Sequence, residues 1–593
     1  MRNFILLLLL FVGTTSVAQS ELLAKNYFDK GAYEKAISLY EKLYKESPHK
    51  TAFLDNLVES YQQLEQFDKA EKALIEKLEG RRFQPQYYIN LGYNYALQNQ
   101  DSLAQINYKQ ALEEINIKPN YATIIAKRFE DYSLLDEAIL AFEKGMELNP
   151  NLNANMQLAR IYGEQGKIEL MFTKYIDLIE TRPNYKSIAQ RNFSLYVTED
   201  PQNEANGILR RILLKKLQEN PDVLYNELLS WLFIQQKDFK KAFTQEKAIY
   251  KRTEEDLGGI SDLALIALAD RDYENAAAII NFVIENSATP EAQLQGYQYL
   301  MKIKLATAKE EDYPEIESQF QQLLTQYGSG SKTYLLQIDY NHFLAFQAKK
   351  SETAIENLKA LANEKLSAYQ EARVKMELAD ILVFEEKFNR ALIYYTQIQK
   401  KIQSDVLAQE ARFKVARTSY FKGDFVWAKT QLDVLRKSAS QLIANDAIEL
   451  SLMIHDNTQE DSLHTALKKY ATADLLALQN KDKQAIDVLS EILTNHKGEK
   501  IEDEALLKQG GLYEKIGDTK KAEANYLKLI DLFKEDILAD DAYFRLANLY
   551  EYELQDPIKA KEYYEQIIFN FEDSIYFIEA RKKYRMLRGD AIE

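Results

Sequence analysis

The stretch "LGYNYALQNQDSLAQINYKQAL", residues 91–112, reads as two short helices joined by a polar turn, with a glycine inside the first. Gly92 costs that helix about 1 kcal/mol relative to alanine, so its presence calls for a packing reason. Working outward from it, alanines recur at Ala36, Ala70, Ala104 and Ala138, each 34 residues after the last. An aromatic precedes each by nine residues: Tyr27, Tyr61, Tyr95 and Phe129. Twelve before stand Ala24, Val58, Gly92 and Ala126, and four after stand Tyr40, Leu74, Tyr108 and Phe142. A fifth unit carries Ala159, Tyr162, Gly166, Tyr175, Leu178 and Pro183.

Within each unit, apolar residues recur three and four apart in two segments separated by a short polar turn such as "FDKGAYEK" at 28–35. That is the pattern of two amphipathic helices forming an antiparallel pair. Close approach of two helices needs a small residue where the backbones cross, because the interaxial distance depends on the side chains at the contact. The spacing places Gly92 on the first helix and Ala104 on the second at that crossing, with the aromatics filling the space on either side.

A 34-residue period with the string Leu91-Gly92…Tyr95…Ala104…Tyr108…Ala111, and Pro48, Pro150 and Pro183 closing units, resembles the tetratricopeptide repeat (TPR) family. The tryptophan that opens many of the family's repeats is absent. The resemblance implies an all-α, tetratricopeptide-type α-solenoid of antiparallel helix pairs, here expected in two or three superhelical segments. Looser units follow around Ala242 and Ala276 and then Ala354, Ala391, Ala428, Ala485, Ala522 and Ala560. The last unit, residues 540–587 with its Asp573-Ser574 turn, is similar to the longer repeats of periplasmic proteins that assist outer-membrane protein assembly or bind the Tol system. The expected organisation is a signal peptide at 1–18, an N-terminal array at 19–185, a divergent helical connector at 186–222 and a central array at 223–436. A divergent helical segment with one repeat at 437–502 and C-terminal units at 503–593 complete it.

The opening "MRNFILLLLLFVGTTSVAQS" has one basic residue, an apolar run from Phe4 to Val12 and a small–x–small site at Ser16-Val17-Ala18. This is the pattern of a secretory signal peptide, the run being too short to span a bilayer. The chain has no cysteine, which excludes disulfides, thiolate metal sites, cysteine nucleophiles and a lipoprotein anchor. The expected location is the periplasm, with no membrane-spanning segment. A formal net charge of −16, with basic residues scattered, argues against nucleic-acid partners.

No catalytic constellation stands out. "GSGSKT" at 328–333 has Ser331 where a phosphate loop needs glycine before its lysine, and reads as a flexible connector between repeats. His455, Asp456, Asp461 and His464 are the one histidine-bearing cluster; nine residues along a single helix would put the two histidines on opposite faces. Asp101-Ser102-Leu103, Asp461-Ser462-Leu463 and Asp573-Ser574-Ile575 read as helix N-caps, or as acceptors of O-linked glycan if the chain is secreted. "RKKYRMLR" at 581–588 reads as a solvated terminal cap helix or a site for an acidic partner. No cofactor and no metal are expected, and no enzyme activity; a hydrolase with an unrecognised site is the remote alternative.

Stacked hairpins expose a long groove lined by their first helices. Register taken from the alanines puts Lys25, Asn56, Asn90, Tyr93, Lys127 and Arg160 on it, a set of polar donors with one aromatic, suited to an extended peptide. The family's carboxylate-clamping pattern is not met, since the matching positions hold Asp55, Glu59 and Ile124. The expected function is a non-catalytic protein–protein interaction scaffold of the bacterial cell envelope, with other proteins or extended peptides as partners. The alternative is an accessory factor of outer-membrane protein assembly or of the Tol–Pal system.

Overall fold

A computed structural model describes residues 20–590 apart from 81–82, 254–255, 404–405, 439–440 and 459–462. The expected signal peptide lies outside the described residues. Those residues form helices joined by short turns, with no strand among them, and no helix is long and apolar enough to cross a membrane. The chain divides into two compact units, residues 1–270 and 271–593.

The first unit is a succession of helix pairs. A helix at 20–29 pairs with Tyr33–Glu46, Thr51–Gln63 with Phe67–Glu79, and Gln86–Ala96 with Asp101–Ile117. Ala122–Asp131 with Leu135–Leu148 and Asn155–Glu164 with Ile168–Thr181 follow. Ala36, Ala70, Ala104 and Ala138 are all buried. A Cβ built on Gly92 would stand 2.5 Å from Tyr108 Cε1 and 3.0 Å from the Ala104 carbonyl oxygen. The glycine is therefore required by the neighbouring helix, as its spacing from Ala104 suggests. The second unit repeats the arrangement at Gly510, whose added Cβ would lie 2.4 Å from Tyr526 Cε1, four residues after the buried Ala522.

Each pair turns through one left-handed residue placed five before the buried alanine: Gly31, Glu65, Asn99 and Ser133 in the first four hairpins. The same position recurs at Lys349, Glu386, Gly423, Asn480, Gly517 and Gln555 in the second unit. The next N–H donates back to the carbonyl of the recurring aromatic, as in Gln66 N–H to Tyr61 at 2.8 Å and Leu134 N–H to Phe129 at 2.9 Å. This closes the first helix in the manner of a Schellman cap. The fifth hairpin keeps the turn at Gly166 but has the larger Met171 five residues later; the small residue moves across to Gly163, where a Cβ would lie 3.0 Å from the Met171 sulfur.

In the second unit the order of packing changes after Phe425–Ser438. The extra helix Gln441–Asp456 packs against that one, and the next helix, Thr465–Leu478, folds back along the preceding hairpins. Gln479 Nε2–H donates to the Phe384 carbonyl at 2.7 Å and to Glu386 Oε1 at 3.1 Å, and the Tyr420 hydroxyl donates to Asp474 at 3.0 Å. The helix Ala368–Phe384 has three consecutive buried residues, Ile381, Leu382 and Val383, and Val406–Phe421 has four, Thr418 to Phe421.

Several local expectations change. His455 and His464 do not share a helix: the first ends at Asp456, and His464 sits before the next with φ +53°. His455 faces Lys429 at 2.8 Å while His464 lies against Phe425. The 328–333 connector is held down, with buried Thr333 donating its hydroxyl to the Gly328 carbonyl at 2.8 Å and Lys332 paired with Glu291 at 3.1 Å. The helix at 101–103 is preceded by Gln100 with no side-chain cap, whereas Ser574 Oγ accepts from the Tyr576 N–H at 3.1 Å; Asp461 and Ser462 lie outside the described residues. In the 581–588 helix Lys583 is paired with Glu551 at 3.0 Å, and Arg588 with Asp590.

Candidate functional site

The first helices of the first unit place the six residues read from the repeat register in three kinds of surroundings. Lys25 and Lys127 are exposed and make no ion pair among the described residues. Tyr93 is half-buried and lies parallel to Tyr132, ring centroids 4.2 Å apart. Arg160 is half-exposed and held between Glu130 and Glu164. Asn56 donates its amide to the Tyr40 hydroxyl at 3.0 Å. Asn90 is buried and its Oδ1 has no hydrogen bond. The Asn56 bond to Tyr40 has no counterpart at Asn90, because 34 residues after Tyr40 stands Leu74, which offers no hydroxyl.

Around Tyr93 the structure assembles a cluster that the register did not single out. Arg128, on the fourth first helix, reaches back across the third to Asp55 on the second, with Nη2 3.2 Å from Oδ2. Its Nε lies 3.8 Å from Asp131. Tyr87, on the intervening helix, is wholly buried beside this pair. The Tyr87 hydroxyl and the Asp55 carboxylate interact as side-chain hydrogen-bond partners, which lowers the carboxyl and raises the phenol. Burial pushes the Asp55 carboxyl above its ordinary range even though Arg128 pulls it down, and burial together with Asp55 raises Glu59 one turn on. Burial also raises the Tyr132 phenol. Asp55 and Arg128 are 73 residues apart, two repeat periods and five residues, so no local spacing announces their meeting.

The first helices of the second unit are joined by a series of ion pairs from one hairpin to the next, as Arg160 and Glu130 join two in the first. Lys302 meets Asp339 at 3.9 Å, His342 meets Glu377 at 2.8 Å, and Lys414 meets Asp380. Lys508 meets Asp474 at 2.6 Å, and Arg545 meets Glu514 at 3.6 Å. The helix Val406–Phe421 is further packed by the chain's own helix Thr465–Leu478, after which Gln479 reaches the end of Ala368–Phe384. Among the described residues no group of three or more histidine or acidic side chains is arranged to hold a metal ion.

Residues 27–88, 504–536 and 540–568 each match a family model described as tetratricopeptide repeat. These stretches are tetratricopeptide repeats, and the array of antiparallel helix pairs is a solenoid of that type. No curated protein matches the sequence. Among solved structures, that of Naa15/Naa10 bound to HypK-THB is similar at 12% identity over 97% of this chain and 96% of that one, with a TM-score of 0.28. The crystal structure of the APC/C hetero-tetramer Cut9-Hcn1 is similar at 13% identity over 96% of each chain, with a TM-score of 0.23. Both scores fall below 0.5, and neither likeness bears on function.

Proposed function

We propose that this chain is a non-catalytic protein-interaction scaffold that holds extended polypeptide segments on the first-helix face of its first unit. The observation that carries the reading is the contrast between faces. In the first unit Lys25 and Lys127 stand solvated without ion pairs among the described residues and Tyr93 and Tyr132 are only half-buried, whereas in the second unit the helix Val406–Phe421 is packed by the chain's own residues 465–478. Tetratricopeptide repeats at both ends of the chain support the same reading.

The setting belongs to the proposal. The basic residue, apolar run and small–x–small site at 1–18 support export to the cell envelope, and the form of residues 540–587 supports service to outer-membrane protein assembly or to the Tol–Pal system. Crosslinking followed by purification of the full chain from an envelope fraction tests this. Enrichment of that machinery favours the accessory-factor reading, other envelope proteins favour a general scaffold, and exclusively cytoplasmic partners contradict both.

A further inference from the structure

We infer that the edge of the second unit formed by its last two inter-hairpin turns, residues 533–539 and 571–577, docks a polypeptide segment that carries apolar side chains together with lysine or arginine. This surface is separate from the proposed binding face of the first unit and does not depend on it. The two turns are built alike, 38 residues apart. Asp536 N–H donates to the Phe533 carbonyl and Ser574 N–H to that of Phe571, both at 3.1 Å. Ala539 N–H then donates to the Asp536 carbonyl at 3.0 Å and Phe577 N–H to that of Ser574 at 3.1 Å. The alanines that follow, Ala542 and Ala580, are both buried. This matched frame holds Ile537 and Ile575 outward at the same position, 79% and 86% exposed, and Ile578, three residues on, is 82% exposed. The turns are locked side by side: the Tyr576 hydroxyl donates to Asp541 at 2.6 Å, and its ring stacks on Phe544 with centroids 4.2 Å apart.

Turns are ordinarily polar, and an isolated exposed isoleucine needs no explanation. Three at adjoining positions, rimmed by charge, mark an interaction surface. In the preceding inter-hairpin turn, 37 residues before Ile537, the position holds Lys500, so the apolar display belongs to these two turns and not to the repeat in general. The rim decides the partner. Glu535, Asp536, Glu572, Asp573 and Glu579 are exposed and make no ion pair among the described residues, against one cation, Lys534, in the two turns. Arg581 and Lys582 stand further along the last helix. An anionic membrane surface or an acidic peptide meets repulsion at this rim. A cationic segment is steered to it and pairs with the carboxylates while its apolar side chains cover the isoleucines.

The test uses the full chain and three fluorescein-labelled dodecapeptides of one pattern, built from leucine and lysine, leucine and glutamate, or serine and lysine, titrated by fluorescence anisotropy. The leucine–lysine peptide is expected to bind at least about threefold more tightly than either of the others, a margin of the size exposed charge pairs provide, and to weaken with added salt. Ile537→Ser combined with Ile575→Ser is expected to weaken it at least about fivefold through lost apolar burial. Glu535→Lys combined with Asp573→Lys is expected to remove its margin over the leucine–glutamate peptide. All four positions are exposed, so both variants are expected to fold, which circular dichroism checks. Binding indifferent to the isoleucine pair, equal or tighter binding of the leucine–glutamate peptide, or failure of all three peptides to bind overturns the inference. Sedimentation that shows the unaltered chain self-associating and the isoleucine variant not doing so also overturns it, by making the edge an interface between copies. The variants leave the first-unit face intact, so these outcomes do not bear on it.

Discussion

Gly92 and Tyr108 compete for one volume: a Cβ on the glycine would stand 2.5 Å from Cε1 of the tyrosine, with the Ala104 carbonyl oxygen 3.0 Å away. Gly92→Ala therefore gains about 1 kcal/mol of helix propensity but forces the ring or the second helix to move, which costs about 1–3 kcal/mol. Net destabilisation of roughly 1 kcal/mol is expected in chemical denaturation. Tyr108→Leu combined with Gly92→Ala is expected to show favourable coupling in a double-mutant cycle. Independent, additive effects would mean that the ring does not set the approach of the two helices.

Glu65 adopts φ +56° at the turn position where Gly31 and Gly166 stand in other hairpins. A side chain there is strained in a way glycine is not. Glu65→Gly is expected to raise stability by about 0.5–1 kcal/mol despite the added freedom of the unfolded chain. An unchanged or lower denaturation midpoint would count against the left-handed cap.

Much of this architecture is legible in the sequence, and the limits are instructive. Ala36, Ala70, Ala104 and Ala138 announce the helix pairs because the packing that needs them repeats with the chain. The left-handed turn five residues earlier is hidden, since Glu65, Asn99, Ser133 and Lys349 occupy it where a reader looks for glycine. The repeat register reaches the first-helix face, but only the structure separates exposed Lys127 from buried Asn90. Long-range meetings escape altogether. Asp55 finds Arg128 two hairpins on, and Gln479 finds Phe384 across a reversal of packing that no periodicity encodes.

Gln479 ties the helix Thr465–Leu478 to the turn after Ala368–Phe384 by two hydrogen bonds. Gln479→Ala is expected to cost about 1–2 kcal/mol and to speed amide exchange in 465–478 and in 376–384, read by mass spectrometry. Faster exchange confined to residues next to 479 would show that this helix does not cover the earlier hairpins.

The pair of His342 and Glu377, with Asp339 and Lys302 beside it, makes the second unit sensitive to pH. Burial works against the charge on His342, but the bond to Glu377 and the charges of Glu377, Asp339 and Asp380 together outweigh it and the imidazole pKa is raised. The stability it contributes is full below the unfolded histidine pKa and fades as pH rises through the folded one. Burial pushes Asp339 up to about 6, with Lys302 and His342 pulling the other way. The proton it holds likewise favours the folded state, and that advantage fades as pH rises through about 6. Both groups act in the same direction, so exchange protection of residues 334–384 is expected to fall from about pH 4 to about pH 8, Asp339 accounting for the part below about 6 and His342 for the part above it. Asp339→Asn is expected to flatten that fall and His342→Gln to reduce it. A profile that both variants leave untouched would place the titration elsewhere.

The claim that the first unit offers a polypeptide-binding face is tested most directly by placing benzoylphenylalanine at single positions of the full chain and crosslinking a biotinylated library of degenerate decapeptides. Positions 25 and 127 lie on first helices; positions 106 and 140 are exposed on the second helices Asp101–Ile117 and Leu135–Leu148. Capture at 25 and 127 well above that at 106 and 140 is the predicted result; equal capture at all four, or capture concentrated at 106 and 140, would contradict it.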